Sequence, residues 1–312
     1  MNWRKLIKIA FGLFGVFFLA YYLTKNWDNL GRYEWKFDFW LFALSAALLW
    51  LAIAGSVFTY ARLLNMISEK PLSFFKVYRL FNLTNIGRYI PGRLWSIIGF
   101  VYYSGEYGIS PKRAAVATII NEVASKTAAL SVGLLYFIFS NEYSHFLPIM
   151  LAVLALDFVI IYPKTLNRVA NAILKLMKKQ PVEIDFSYAA VLKICGMYVI
   201  VWLFHSIAFY VLIAAITKIG PVNPLQFAAI LPLCWIIGYL VIFAPGGIGV
   251  REAMLVVMLG RFMPQEVALI IAIVQRIWFT LVEAINFVSA LIIPQGKATA
   301  LSESRIVSGK PD

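Results

Sequence analysis

The chain has 312 residues, of which 62% are hydrophobic and only 14% charged, yet its net charge is +13. Soluble domains are about 45–50% apolar and about 25% charged, so this composition excludes an ordinary soluble enzyme, a disordered chain and a disulfide-rich secreted domain. It predicts a multi-pass membrane protein in which Lys and Arg mark the cytoplasmic rim and the lipid phosphates, with no nucleic-acid partner.

The first predicted span covers 6–23, behind the basic start Arg4, Lys5 and Lys8. Its end at Ala20-Tyr21-Tyr22-Leu23 has no small-x-small cleavage site, so it reads as a retained helix and not a signal peptide. A second, uncharged span runs from Phe39 to about Tyr60. Residues 72–108 are more polar and are interrupted at Pro91-Gly92, which predicts a broken hairpin with Pro91 and Gly92 as its hinge. Along its first arm Arg79, Asn82, Asn85 and Arg88 recur every three residues, and Arg93 follows. Arg and Asn on one helical flank suit bidentate phosphate binding. The bland alternative is a helix held on anionic lipid.

A third span lies within 112–139 and a fourth within 145–162. Residues 163–186 put Leu166, Val169, Ala170, Ile173, Leu174 and Met177 on one face and most of their Lys and Arg elsewhere, the pattern of an interfacial helix on the inner leaflet. The fifth span starts near Ser187 and has an uncharged core at 194–217. His205 stands alone in it and reads first as a core residue. Residues 219–250 carry no charge but hold Pro221, Pro224, Pro232, Pro245, Gly246, Gly247 and Gly249. That density predicts a second broken hairpin, about 222–243 and 250–260, hinged at Pro245. The glycines and the helix start that follows form an anion cradle with Arg251 beside it. No Gly-Lys-Ser/Thr follows, and no strand precedes, so this is neither a Walker nor a dinucleotide loop. The last span covers 264–293, ahead of a polar cytoplasmic tail, 297–312.

With the N-terminus inside, cytoplasmic segments hold nineteen Lys and Arg and outer segments six. This predicts both termini in the cytoplasm of a prokaryotic cell, with the chain in the plasma membrane. Cys195 and Cys234 sit in apolar runs and read as core residues; no metal site and no cofactor are expected.

The two broken regions resemble each other at a shift of 154, which pairs Pro91-Gly92 with Pro245-Gly246, Ala114 with Ala268, Asn121 with Gln275 and Glu122 with Arg276. Two repeats, about 38–139 and 187–293, flank one extra span, so the second copy should be inverted. The fold expected is an all-α polytopic membrane bundle of about six full spans plus two re-entrant hairpins, one integral domain over 1–296. Charges inside the spans cost about 2.5–3.5 kcal/mol each at a helix centre. Glu122, Lys126, Gln275, Arg276, Glu283 and Asn286 therefore define an expected polar path; Glu122 and Lys126, spaced i,i+4, share a face and can pair, and Glu122–Arg276 or Glu283–Lys126 are the expected cross pairs.

The strings Arg88-Tyr-Ile-Pro-Gly-Arg-Leu-Trp95 and Pro245-Gly-Gly-Ile-Gly-Val-Arg-Glu252 resemble the lysylphosphatidylglycerol synthase transmembrane-region family, also described as flippase-like, over about 6–293. The resemblance implies a protein that moves a phospholipid or lipid-linked precursor between leaflets, with those two breaks as hallmark segments. The soluble aminoacyl-transferase domain of the full synthases is not present in these 312 residues, which weighs against an enzyme. Expected partners are membrane lipids with an anionic head group. The alternatives are an accessory subunit for a separate transferase, a polyprenyl-phosphate or aminoacyl-lipid transferase in its own right, and a homo-oligomer.

Overall fold

A computed structural model describes residues 33–68, 71–89, 95–140, 143–176, 187–220, 222–241, 247 and 249–294. The expected first span, the hinge residues Pro91, Gly92 and Pro245, the site residues Arg93 and Gly246, and the polar tail all lie outside them.

Ten α-helices make up the described chain: α1 (Phe39–Ile67), α2 (Phe74–Asn85), α3 (Trp95–Ser104), α4 (Pro111–Ile138), α5 (Leu147–Ile160), α6 (Pro163–Leu176), α7 (Tyr188–Ile216), α8 (Pro224–Leu240), α9 (Val250–Leu259) and α10 (Gln265–Ile292). Their starts are written locally. Asp38 accepts from the N–H groups of Trp40 and Leu41 at 3.0 and 3.1 Å. Ser187 accepts from Ala190 at 3.1 Å, and Asn223 caps α8 just before Pro224. Helices α1, α7 and α10 are long and apolar enough to cross a membrane. Helix α4 is as long, at 28 residues, but carries Glu122 and Lys126 near its middle. Helix α5, in the expected fourth span, has 14 residues and buries none of them. Helix α6 buries Leu166 and exposes Lys164 and Arg168, as an amphipathic surface helix should.

Apolar side chains cover the outside. On α10, Ile277, Leu281, Ile285, Val288 and Ile292 form an exposed stripe, while Gln275 and Asn286 are buried. That is the reverse of a soluble helix and suits a hydrocarbon surround. Pro232 sits inside α8 without ending it. A proline cannot donate to the carbonyl four residues back, and here Ser206 on α7 donates to that Ala228 carbonyl at 2.6 Å.

Two broken pairs occupy the expected regions: α2, extended by a 3-10 turn over Ile86–Tyr89, with α3, and α8 with α9. Gly87 allows the first pair to close. A Cβ there would meet the backbone of Trp95 and Ser96 at 2.7–2.8 Å. Helix α4 packs on α8, and α10 packs on α2; α4 also meets α7, and α10 meets α1; α1 and α7 pack along each other.

Candidate functional site

A cavity of about 280 Å³ lies among α1, α2, α3, α4, α7, α8, α9 and α10. Its charged lining is Arg88, Glu122, Lys126, Arg251, Arg276 and Glu283, with Asn85 and Asn121 beside them. Seven residues expected to bind phosphate or line a polar path, Asn85, Arg88, Arg251, Glu122, Lys126, Arg276 and Glu283, thus meet in one place.

Their partners differ from the expected cross pairs. Glu122 takes Lys126 within α4 at 2.8 Å, the i,i+4 geometry of one helix face. Glu283 takes Arg88, and Asn85 donates to the same carboxylate at 3.3 Å. Arg276 faces Glu252 at 3.5 Å, and the other oxygen of Glu252 accepts from the Gly249 N–H at 2.7 Å. Gly249 has φ +85, a conformation open to glycine, and it starts α9 so that Arg251 falls in the first turn.

Arg251 is 5% exposed, and its Nε and Nη2 atoms have no hydrogen-bond partner. Its guanidinium carbon lies 3.5 Å from the centroid of the Trp235 ring and 6.0 Å from that of Phe279. Arg88 lies 5.9 and 5.5 Å from the same two rings. Two glycines admit the Arg251 stem. A Cβ on Gly238 would sit 2.2 Å from its Cγ, and one on Gly247 (φ +72) would sit 2.9 Å from its Cδ. An isolated buried cation is expensive. The Trp235 face offsets part of that by cation–π attraction, and the remainder calls for an anion.

Four expected site residues lie elsewhere. The Arg79 guanidinium donates to the carbonyls of Ala290, Leu291 and Ile293 at the C-terminus of α10, away from the cavity lining. Asn82 donates back to the Tyr78 carbonyl at 2.9 Å. Asn286 accepts from the Tyr78 hydroxyl at 2.5 Å and so ties α10 to α2. Gln275 is buried without lining the cavity. Helical geometry accounts for this. A three-residue step turns about 60° back around the axis, so Arg79 and Asn85 diverge by about 120°. Gln275 and Asn286 share a direction that is about 60–100° from those of Arg276 and Glu283.

Sequence reasoning passed over the aromatic wall of Trp202, Trp235, Tyr239 and Phe279. A signal was present in the shift of 154. Phe81 with Trp235, Asn85 with Tyr239, Ile97 with Arg251, Glu122 with Arg276 and Ser125 with Phe279 are separated by that shift, and all ten line the cavity. Lys126 also lies 4.5 Å from the Tyr239 ring centroid. His205, read from sequence as a core residue, lines the cavity as well, with Nδ1 lacking a partner. Cys195 and Cys234 are both buried and unpaired, in keeping with the core role expected.

The sequence model of the family described as "Lysylphosphatidylglycerol synthase TM region" matches residues 5–283. No curated protein matches the chain.

Proposed function

The chain belongs to the lysylphosphatidylglycerol synthase TM-region family, and on that premise we propose that it is a lipid translocase, moving a phospholipid or lipid-linked precursor with an anionic phosphate head group between leaflets. The observation that carries this reading is the buried, unpartnered Arg251 in a charged cavity whose surrounding bundle is covered by apolar side chains. Such a cavity gives a head group a polar environment while its tails stay in hydrocarbon.

The transport layout we infer is an inverted repeat, with α1, α2, α3 and α4 matched by α7, α8, α9 and α10. Two observations support it. Swapping the halves turns the contact of α4 with α8 into that of α10 with α2, and the contact of α4 with α7 into that of α10 with α1. The residue pairs separated by 154 share one cavity. In this reading the two broken pairs re-enter from opposite faces and meet at the site. The Lys and Arg bias supports a cytoplasmic N-terminus, and in this reading the membrane is the plasma membrane of a prokaryote.

Reconstitution into liposomes bearing a fluorescent phospholipid tests the proposal. Dithionite added outside should bleach about half the label in empty vesicles and nearly all of it in vesicles with the protein. Bleaching that stops at half across a panel of anionic phospholipids and polyprenyl phosphates sinks the reading.

A further inference from the structure

Helix α5 holds one ionisable side chain, Asp157, among the exposed apolar residues Ile149, Leu151, Val153, Leu156 and Val159. Its Oδ2 atom is buried and has no hydrogen-bond partner. Among the described residues no cation pairs with it. Lys164 and Arg168 on α6 and Lys193 on α7 are exposed, Lys126 on α4 is held by Glu122, and His145 precedes the opposite end of α5. The neighbours Asp157 does have are Thr127 on α4, which is fully buried, and the Cys195 thiol on α7, which is 6% exposed. The Tyr188 hydroxyl of α7 donates to the Phe158 carbonyl at 3.4 Å and holds this turn of α5 against the bundle.

The hydrogen bonding of Thr127 restricts what Asp157 can be. A hydroxyl has one proton to give, and Thr127 gives it to the Val123 carbonyl at 3.1 Å. Toward Asp157 it therefore presents lone pairs. An ionised carboxylate would set acceptor against acceptor in an apolar surround, with no cation to offset its charge. The neutral acid has an O–H to donate and no charge to bury.

We propose that Asp157 is a proton-binding site at the junction of α4 and α5, occupied at neutral pH, whose carboxyl O–H donates to the Thr127 hydroxyl. The site lies outside the cavity and does not depend on what the cavity carries. It connects to the cavity through α4, which brings Glu122 and Lys126 to the lining. Loss of the proton would set a carboxylate against the Thr127 lone pairs, so α4 is the element on which the proton acts.

The test uses the full chain in lipid nanodiscs and dicyclohexylcarbodiimide, an apolar reagent for carboxylic acids. The acid proton passes to a carbodiimide nitrogen and the carboxyl oxygen adds to the central carbon; the acyl group then migrates to nitrogen, leaving a stable N-acylurea that peptide mass spectrometry locates. Asp38, which accepts two backbone N–H groups at the start of α1, is the internal reference. An ordinary Asp, with a pKa of about 3.9, loses about a hundredfold of its acid form between pH 5 and pH 7. Labelling of Asp38 should fall on that scale, and labelling of Asp157 by no more than about twofold. A parallel fall at both residues overturns the proposal.

Infrared difference spectra decide the case in which the reagent reaches Asp157 at neither pH. At pH 7 the native chain minus Asp157→Asn should show the carbonyl band of a protonated carboxyl, and its absence overturns the proposal. Thr127→Val should shift that band upward by removing the acceptor, while Thr127→Ser leaves it in place. A band that ignores Thr127→Val overturns the assignment of Thr127 as the acceptor. None of these readouts uses lipid movement, so failure of the translocase reading and failure of this one are told apart.

Discussion

Gly238→Ala tests whether the placement of Arg251 is what the cavity depends on. The new Cβ would lie 2.2 Å from Arg251 Cγ and 2.8 Å from Cδ. Ordinary carbon contacts are about 3.5–4.0 Å, so the stem must withdraw by more than about 1 Å near its root. Overpacking of this kind costs about 1–3 kcal/mol, and the displaced guanidinium leaves the Trp235 face. Thermal or denaturant unfolding of the purified variant should show that loss, and lipid scrambling should fall with it. In an Arg251→Ala background the obstruction is gone. There Gly238→Ala should become neutral or slightly stabilising, since alanine exceeds glycine in a helix interior by up to about 1 kcal/mol. The effect of one substitution therefore changes sign with the second. Destabilisation by Gly238→Ala of equal size in both backgrounds would falsify the claim that these two residues are in contact.

Arg79→Gln should destabilise the protein by about 1–2 kcal/mol through the lost carbonyl contacts at the end of α10, measured by unfolding, while scrambling per folded molecule stays at the native level. Trp235→Leu should reduce scrambling more than Trp235→Phe, because only the latter keeps a ring under Arg251; equal losses would remove the cation–π argument. Gly133→Ala places a Cβ 2.7 Å from Leu233 Cδ2, at the junction of α4 with α8. It should cost about 1–2 kcal/mol. Leu233→Ala in the same chain should recover part of that loss, read as a positive coupling in a double-mutant unfolding cycle.

Much of the architecture was legible because the bilayer imposes simple rules. Uncharged runs near 20 residues marked α1 and α7, a long apolar run with few charges marked α10, and the proline and glycine clusters marked both broken pairs to within a few residues. Capping was readable too, as Asp38, Ser187 and Asn223 each precede an apolar run. Prolines could not all be read alike: Pro224 opens a helix, whereas Pro232 is tolerated because Ser206, on another helix, satisfies the freed carbonyl. That compensation is tertiary and leaves no local trace. The site residues followed the same division. Glu122 and Lys126, spaced i,i+4, had to share a face. Arg79 and Asn82 looked like members of the Asn85–Arg88 stripe, yet the helix turns them away, and only the position of the α10 carbonyls shows what Arg79 serves. Arg251 was singled out for its place at a helix start, but the ring beneath it and the lack of hydrogen-bond partners for its Nε and Nη2 arise from long-range packing.

The charges themselves argue for a role beyond holding the bundle together. Replacing a buried ion pair with well-packed apolar side chains is often neutral, or stabilising by about 1–4 kcal/mol. A bundle selected for stability alone would have no need to hold Arg88–Glu283 and Arg276–Glu252 among Trp235, Phe279 and Trp202. The pairs are also graded. Glu252, 5% exposed, is fixed by Gly249 and Arg276, while Glu122 and Lys126 are 37% and 29% exposed. The charged lining thus ranges from the partly exposed Glu122 and Lys126 to the buried Arg251. Under the translocase proposal, an anion in this cavity would exchange water for the Lys126 ammonium, itself paired with Glu122, and for the Arg251 guanidinium. For a head group that must leave water without being stranded in hydrocarbon, that gradient supplies what the rest of this apolar chain withholds.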